Sequence, residues 1–223
     1  MIRAYLGGSF DPPHSGHLAL LEHAHACLSQ LGLAFELSVL PTQGSPFKST
    51  QTPYDTRCQM LSLAIQSMNL PVPICRLEAN MTPPVYSVDV FDKLHARHPE
   101  DSLILIVGSD SLSQMPKWQR SDELHGLFNL WVFGRDQSRA DTNSTDSTDK
   151  QTDLIATAAK LNFVVTAELD GIYRSCGALF FDDFTPPAIS SSEVRCYVKT
   201  SEGSLNLVPK AVARYIEQNS VYL

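Results

Sequence analysis

The sequence predicts an α/β fold: a doubly wound parallel sheet with helices on both faces. A short apolar run, Ile2–Leu6, is typical of a first strand and leads into Leu18–Leu31, where apolar residues recur at helical spacing. Two further runs, Leu103–Val107 and Leu130–Phe133, are continuously apolar, as in central strands that are buried on both faces. Strands that alternate with helices of these lengths indicate right-handed crossovers and a parallel sheet.

Start and stop signals give the remaining elements. Gly32 is expected to end the first helix. Thr52, Pro53 and Asp55 are expected to cap and start the next helix, which runs to about Met68. The other predicted strands are Phe35–Leu40, Ile74–Leu77 and Ala178–Phe181, and the other predicted helices are Ser87–His98, Ser191–Thr200 and Pro209–Asn219.

One polar segment, from Asp136 to Thr152, interrupts the alternation. It contains almost no apolar residue, so we expect a mobile surface loop. Strand and helix patterns resume after it. We therefore interpret it as an insertion into a single domain, residues 1–223, that ends with helices from about residue 190.

The composition restricts the class of function. A formal net charge of −7 argues against a broad nucleic-acid surface, which needs a basic face, and no apolar run is long enough to span a membrane. The N-terminal residues lack the pattern of a signal peptide, so we expect a cytoplasmic protein. We expect it to be a monomer or homo-oligomer that binds neither nucleic acid nor membranes. Five scattered cysteines without a C-x-x-C pair are expected to be reduced and mostly buried.

The most informative stretch runs from Gly7 to His17, with the sequence GGSFDPPHSGH, where the first strand meets the first helix. Free backbone N–H groups and the positive end of a helix dipole bind phosphate at such a place. Gly7 and Gly8 allow a ligand to approach the backbone, and Gly16 leaves room beside His17. His14 and His17 add donors that can become cationic, so the stretch predicts an anion site.

Two alternatives remain for this stretch. One is a glycine-rich turn in which the histidines are incidental. The other is a zinc site formed by His14 and His17 with His23 or His25, although no Cys, Asp or Glu stands at a convincing ligand spacing.

A second stretch, ISSSEVR from Ile189 to Arg195, has the features of another anion site. Hydroxyls and N–H groups gather at a helix start, and Arg195, one turn further, can bind a phosphate with two N–H groups. The alternative is a plain helix whose Ser and Glu form a capping box. Gly108-Ser109-Asp110 also follows a predicted strand, so all three segments are expected at the edge where doubly wound sheets bind ligands.

The first stretch resembles the nucleotidyltransferase signature G-G-[ST]-F-D-P-x-H-x-G-H, and the second resembles that superfamily's I-S-[ST]-[ST]-x-x-R motif. Within the superfamily the chain is most similar to the bacterial nicotinate-nucleotide adenylyltransferases. That similarity rests on Pro41-Thr42 with Pro46-Phe47-Lys48, on Tyr86-Ser87, and on Gly108-Ser109-Asp110 with Trp118.

The resemblance implies a Rossmann-like fold and a reaction. The adenylyl group of ATP, which carries Mg²⁺ on its phosphates, would be joined to nicotinate mononucleotide to give nicotinate adenine dinucleotide and pyrophosphate. The implied catalytic residues are His14, His17, Lys48 and Arg195. The residues implied to bind ATP are Gly7, Gly8, Ser9, Phe10, His14, His17, Gly108, Asp110, Ile189, Ser190, Ser192 and Arg195. Those implied to bind the mononucleotide are Thr42, Tyr86, Ser87, Trp118 and Arg135. Two of the implied residues have an alternative structural role: Asp110 could cap the short helix that follows it, and Trp118 could pack in the core.

Three rival functions share part of this pattern. A phosphopantetheine adenylyltransferase would use the same superfamily motifs. A class I aminoacyl-tRNA synthetase fragment has a His-x-Gly-His motif, but this chain lacks the lysine-rich second signature of that class. A non-catalytic sensor would bind ATP without releasing pyrophosphate.

Overall fold

The structure is a computed structural model that describes residues 1–44, 52–134, 147–174, 176–200 and 207–222. Strands and helices alternate through most of the chain. The strands are β1 Ile2–Gly8, β2 Phe35–Pro41, β3 Ser102–Gly108, β4 Asn129–Phe133, β5 Val164–Thr166 and β6 Ala178–Asp182. The helices are α1 Ser15–Gln30, α2 Tyr54–Gln66, α3 Ser87–Arg97, α4 Ser109–Gln114, α5 Ser147–Lys160, α6 Ser191–Thr200 and α7 Lys210–Gln218, and short 3₁₀ turns cover Leu77–Asn80, Met115–Lys117, Leu124–Gly126 and Leu169–Tyr173.

The six strands form one sheet in the order β2-β1-β3-β4-β6-β5. Strand β1 pairs in parallel with β3, β3 with β4, β4 with β6, and β6 with β5. Because β2 and β3 lie on opposite sides of β1, the strand order reverses there, and doubly wound sheets bind ligands at such a switch point. The α/β fold class predicted from the sequence is therefore confirmed.

The contacts within the chain define two compact units. The first comprises Met1–Leu6, Leu28–Glu36 and Tyr86–Thr185, and the second comprises Gly7–Cys27, Leu37–Val85 and Pro186–Leu223. Within the described ranges, every helix falls short of the length and apolar content that a membrane crossing demands.

The centre of the first unit is formed by β3 and β4. Residues Leu103–Val107 are buried without interruption, as are all five residues of β4. This burial explains why both segments are continuously apolar. A buried amide, that of Asn129, links neighbouring strands because its Nδ2 donates to the Leu103 carbonyl (3.5 Å) and its Oδ1 accepts the N–H of Ala178 (2.9 Å).

The core of the second unit is formed by residues of α2, α6 and α7 together with Val208. Its buried members are Met60, Ala64, Val194, Val208, Val212, Ala213 and Ile216. Met60 and Ala64 are four residues apart on α2, as are Val212 and Ile216 on α7, so each helix contributes one apolar face. This packing positions α6, whose first turn carries most of the second motif, Ile189–Arg195.

Two predictions about the elements are wrong. Residues 74–77 do not form a strand: Ile74 makes a single bridge to Val39, and the chain enters a 3₁₀ turn at Leu77. Proline at 73 has no N–H with which to extend the ladder. The polar segment 136–152 does not remain a loop to its end, because α5 begins at Ser147; residues 135–146 lie outside the described part.

Burial near the C-terminal end of α5 explains why this helix can begin within a polar segment. Ala158 and Leu161, at the end of this helix and just beyond it, are at most 2% exposed. Burial of that apolar end stabilises the helix, which therefore includes the polar residues that precede it.

The expectation for the cysteines is also wrong in part. No disulfide forms among the five, but only Cys58 is buried, and Cys176 and Cys196 are exposed.

Gly177 provides a test of the first unit. Its φ of +80° is strained for other residues, and an added Cβ would lie 2.8 Å from the His125 carbonyl oxygen. We expect Gly177→Ala to lower the free energy of unfolding by about 1 to 3 kcal/mol. Gly126→Ala is the control, because an added Cβ there meets open space. Equal urea midpoints for the two variants would contradict this account.

Candidate active site

The first motif, Gly7–His17, spans the turn between β1 and α1. Phe10 adopts a φ of 49° and is 1% exposed. An added Cβ at Gly8 would lie 3.0 Å from Phe10 Cζ. The close approach that requires glycine at position 8 is therefore made by Phe10, a contact that the sequence did not predict.

The two histidines of this motif stack on each other. Their ring centroids are 3.7 Å apart and the rings are 28° from parallel. The backbone N–H of His14 donates to Nδ1 of His17 (3.2 Å), so the proton of neutral His17 is assigned to Nε2. The Phe10 ring makes an edge contact with the His17 ring, with the centroids 4.9 Å apart. His17 is thereby held with one N–H as a donor.

Gly16 lies where the segment that leads into the second motif packs against the first motif. An added Cβ at this position would lie 3.0 Å from the Pro187 carbonyl oxygen and 3.1 Å from His14 Nδ1. The space that glycine provides is therefore filled by the segment that precedes α6. Ile189 follows in that segment, and its side chain packs against the core of α2, α6 and α7.

The start of α6 carries a capping box. Ser190 Oγ accepts the N–H of Glu193 (3.1 Å), and Glu193 Oε2 accepts the N–H of Ser190 (2.7 Å) and its hydroxyl (2.8 Å). The capping alternative raised by the sequence is thus present at Ser190. Ser191 instead reaches the first motif, because its hydroxyl donates to the Pro12 carbonyl (2.9 Å).

Arg195 also joins the two motifs. One terminal nitrogen donates to the Asp11 carbonyl (2.5 Å), and the other donates to Ser192 Oγ (3.0 Å). The structure therefore brings His14, His17, Ser192 and Arg195 into one region, as the pattern predicts. A helix N-terminus, an imidazole and a guanidinium are each groups that can bind an anion.

Thr42 and Gln43, which follow β2 and begin what we call the second loop, lie beside the first motif. Thr42 donates its N–H to the Gly8 carbonyl (3.0 Å), and its hydroxyl is buried without a hydrogen-bond partner among the described residues. Gln43 donates its N–H to Glu78 (2.7 Å). Lys48 and Arg135 lie outside the described residues, so their predicted roles stay predictions.

Sequence reasoning missed the buried polar groups beneath this region. Arg57 is fully buried, and the carboxylate of Asp11 is 5% exposed. Asp11 accepts the Tyr222 hydroxyl (2.7 Å) and the N–H of Thr52 (3.2 Å). Thr52 therefore does not cap α2; Pro53 stands at the cap position without a side-chain bond. In the sequence, the one indication of such a group was that Arg57 stands next to Cys58 on the apolar face of α2.

Burial also changes the titration of these groups. It raises the pKa of Glu78 to about 7, although the N–H of Gln43 and the charge of Arg57 oppose the shift. Burial lowers the pKa of Arg57, with the charge of Asp11 acting in the opposite direction. Burial and the bond to Asp11 both raise the pKa of Tyr222.

The first unit carries the remaining predicted residues. Gly108 stands at the cap position of α4, and Asp110 lies in its first turn, so Asp110 is not the cap. Ser87 is the first residue of α3 and Tyr86 stands at its cap position. Trp118 is half-buried, which fits neither a fully buried core residue nor a fully exposed one.

The zinc alternative is not supported. Within the described ranges, His14 and His17 do not combine with His23 or His25 into a group whose ligand atoms could share one ion.

Comparison with known proteins identifies the class. The sequence pattern of the cytidylyltransferase-like family matches residues 5–197, and the chain belongs to this family. The nicotinate-nucleotide adenylyltransferase of Bacillus subtilis is 30% identical over 97% of this chain and 95% of its own length. A probable nicotinate-nucleotide adenylyltransferase of Chlorobaculum tepidum is 29% identical over 100% and 99%. Within the wider class, the chain is thus a member of the nicotinate-nucleotide adenylyltransferase family.

The solved structures agree at the level of the fold. Nicotinic acid mononucleotide adenylyltransferase of Plasmodium falciparum, complexed with NaAD, superimposes with a TM-score of 0.69 at 18% identity, covering 99% of this chain and 96% of that one. The comparisons confirm the family, the fold and the nucleotidyltransferase function that the motifs predicted.

Glu78 gives a prediction about pH. Its folded-state pKa of about 7 lies above the ordinary 4.5, so the folded protein binds more protons between these values. The free energy of unfolding should therefore fall as pH rises from about 4.5 to about 7, with Glu78 contributing about 1 to 3 kcal/mol of the loss. Glu78→Gln should remove that contribution and keep an acceptor for Gln43.

The measurement is urea unfolding at pH 5 and pH 8, with the exposed Glu100→Gln as control. If Glu78→Gln and wild type lost the same free energy between the two pH values, the role of Glu78 would be refuted.

Proposed function

We propose that this chain transfers the adenylyl group of ATP to nicotinate mononucleotide and releases pyrophosphate. The observation that carries the proposal is the contact between the two anion-binding motifs. Arg195 donates to the Asp11 carbonyl and Ser191 to the Pro12 carbonyl, so the two motifs are held against each other. Relatives that bear the matching name extend over almost the entire chain.

The reaction needs positioning and charge stabilisation rather than a base. An oxygen of the mononucleotide phosphate bonds to the α-phosphorus of ATP, while the bond from that phosphorus to the β-bridging oxygen breaks. Pyrophosphate leaves with the electron pair. Because the attacking phosphate is already anionic, no proton has to be removed from it.

The residues of the second unit suit this task. His17 would donate from Nε2 to the α-phosphate, where negative charge develops, with His14 stacked behind it. Ser192, Arg195 and the N-terminus of α6 would hold the β- and γ-phosphates, with Gly7, Gly8, Ser9 and Phe10 forming the turn beneath them. We further propose that Lys48 reaches the triphosphate.

Mg²⁺ is proposed to arrive on the phosphates of ATP and to neutralise part of their charge. The carboxylate within the first motif supports this, because both oxygens of Asp11 accept bonds from Tyr222 and Thr52 and the group is buried. Asp11 would thus hold the turn rather than the ion.

The mononucleotide is proposed to be bound by the residues that the resemblance implies. Trp118 would stack on the pyridine, and the start of α3 at Ser87 would offer N–H groups to the ring carboxylate beside Tyr86. Asp110 would bond a ribose hydroxyl, with Gly108 beside it. Thr42 and Arg135 complete the proposed set; the buried Thr42 hydroxyl supports a polar partner there.

The setting follows from the same chemistry. Small anionic substrates require a few concentrated cations and no basic face, which suits a chain of net charge −7. We propose a cytoplasmic enzyme, monomeric or homo-oligomeric, that acts without nucleic acid or membranes.

The experiment is a pyrophosphate-release assay with ATP and, in turn, nicotinate mononucleotide, nicotinamide mononucleotide and phosphopantetheine. We expect the fastest release with nicotinate mononucleotide. Release with phosphopantetheine alone would favour the rival adenylyltransferase, and ATP binding without any release would favour a sensor.

His17→Ala should lower kcat by about 100-fold or more, because it removes a donor to charge that develops in the transition state. Steady-state kinetics with both substrates measures this. The control is His95→Ala, an exposed histidine on α3. Near-normal turnover of His17→Ala would refute the phosphate role.

Trp118→Ala should raise the KM for the mononucleotide about tenfold and leave the KM for ATP nearly unchanged, because one stacking contact is lost. The neighbouring exposed Lys117→Ala is the control. An effect confined to ATP would show that the stacking assignment is wrong.

A further inference from the structure

We propose that Arg57 is a positioning residue for adenylyl transfer: from beneath the site, its buried guanidinium fixes the backbone of the first motif relative to the second loop. This inference rests on the proposed function and adds a residue that touches neither substrate.

The bonds of Arg57 define this role. One terminal nitrogen donates to the Ser9 carbonyl (2.5 Å), and the other donates to the carbonyls of Thr42 (2.6 Å) and Gln43 (3.3 Å). Nε donates to the Thr52 carbonyl (2.9 Å). All four acceptors are backbone oxygens, and they belong to three separate segments of the second unit. A single side chain therefore ties these segments together.

The residues that Arg57 joins serve different substrates in the proposed reaction. Ser9 lies in the motif proposed for ATP, and Thr42 lies in the loop proposed for the mononucleotide. In-line transfer depends on the distance and angle between the two bound phosphates. Arg57 fixes the backbone on both sides of that distance before either substrate binds.

The chemistry of the side chain supports this interpretation. Arg57 is fully buried, and burying a cation carries a desolvation penalty that its hydrogen bonds must offset. The planar guanidinium donates in fixed directions from three nitrogens, whereas a lysine ammonium donates from one point. Lysine could bond one or two of these carbonyls, but it could not set the spacing of all three segments.

A second anchor acts on the same motif. The Asp11 carboxylate, two residues after Ser9, accepts the Tyr222 hydroxyl (2.7 Å) and the N–H of Thr52 (3.2 Å). Thr52 thus donates to Asp11 through its N–H and accepts from Arg57 through its carbonyl. The first motif is held at these two points, and of the two anchors Arg57 is the one that also bonds to the second loop.

The test compares Arg57→Lys and Arg57→Met with wild type and with Arg76→Lys. Arg76 is a matched control because its guanidinium also lies near the Tyr54 ring (5.9 Å, against 5.5 Å for Arg57) but is exposed. Pyrophosphate release gives kcat and both KM values, and thermal unfolding gives the temperature range in which each variant is folded.

For an Arg57 variant folded at the assay temperature, we expect kcat to fall about 10- to 100-fold while both KM values stay within about threefold, because each substrate keeps its own contacts. Arg57→Lys should recover part of the loss seen in Arg57→Met. Arg76→Lys should match wild type.

Three results would overturn the proposal. They are a kcat within twofold of wild type in folded variants, a loss confined to one KM, and failure of both variants to fold, which would assign Arg57 to the fold alone. A wild-type protein without turnover would refute the proposed function instead, so the two failures are distinguishable.

Discussion

The missing side chain at Gly16 is the constraint on which the site depends. It allows the Pro187 carbonyl and the His14 ring to approach the first turn of α1 more closely than any other residue would permit. That approach brings the ISSSEVR segment against the first motif, where Arg195 meets the Asp11 carbonyl. The core of α2, α6 and α7 holds the segment from its other end. Two stretches more than 170 residues apart in sequence (Asp11 and Arg195 are separated by 184) are thereby held in contact.

Two arginines in this region illustrate different uses of the same side chain. Arg195 is half-buried and donates to the first motif at the Asp11 carbonyl. Arg57 is fully buried and donates to the backbone carbonyls of Ser9 and Thr42. One guanidinium can neutralise a ligand and the other organises the chain that surrounds the ligand. An acidic protein can bind polyanions in this way, because a few oriented cations matter more at short range than the net charge.

The sequence was sufficient for most of the fold and for the motifs, since both depend on local patterns. Apolar runs marked β3 and β4, and the strand-to-helix junction marked the first motif. Arg57 and Tyr222 were missed because their partners are distant carbonyls and a distant carboxylate, which no spacing in the sequence reveals. The start of α5 was missed because its polar turns depend on burial at the far end of the helix. Residues 74–77 were apolar enough for a strand, but a proline and a single bridge limit the pairing.

The stacked imidazoles have a consequence for how substitutions at the two positions combine. The ring centroids of His14 and His17 are 3.7 Å apart, and the His14 N–H donates to Nδ1 of His17. Free-energy changes at residues in direct contact are not additive. The change produced by replacing both histidines would therefore differ from the sum of the two single changes, and a double-mutant cycle would measure that difference.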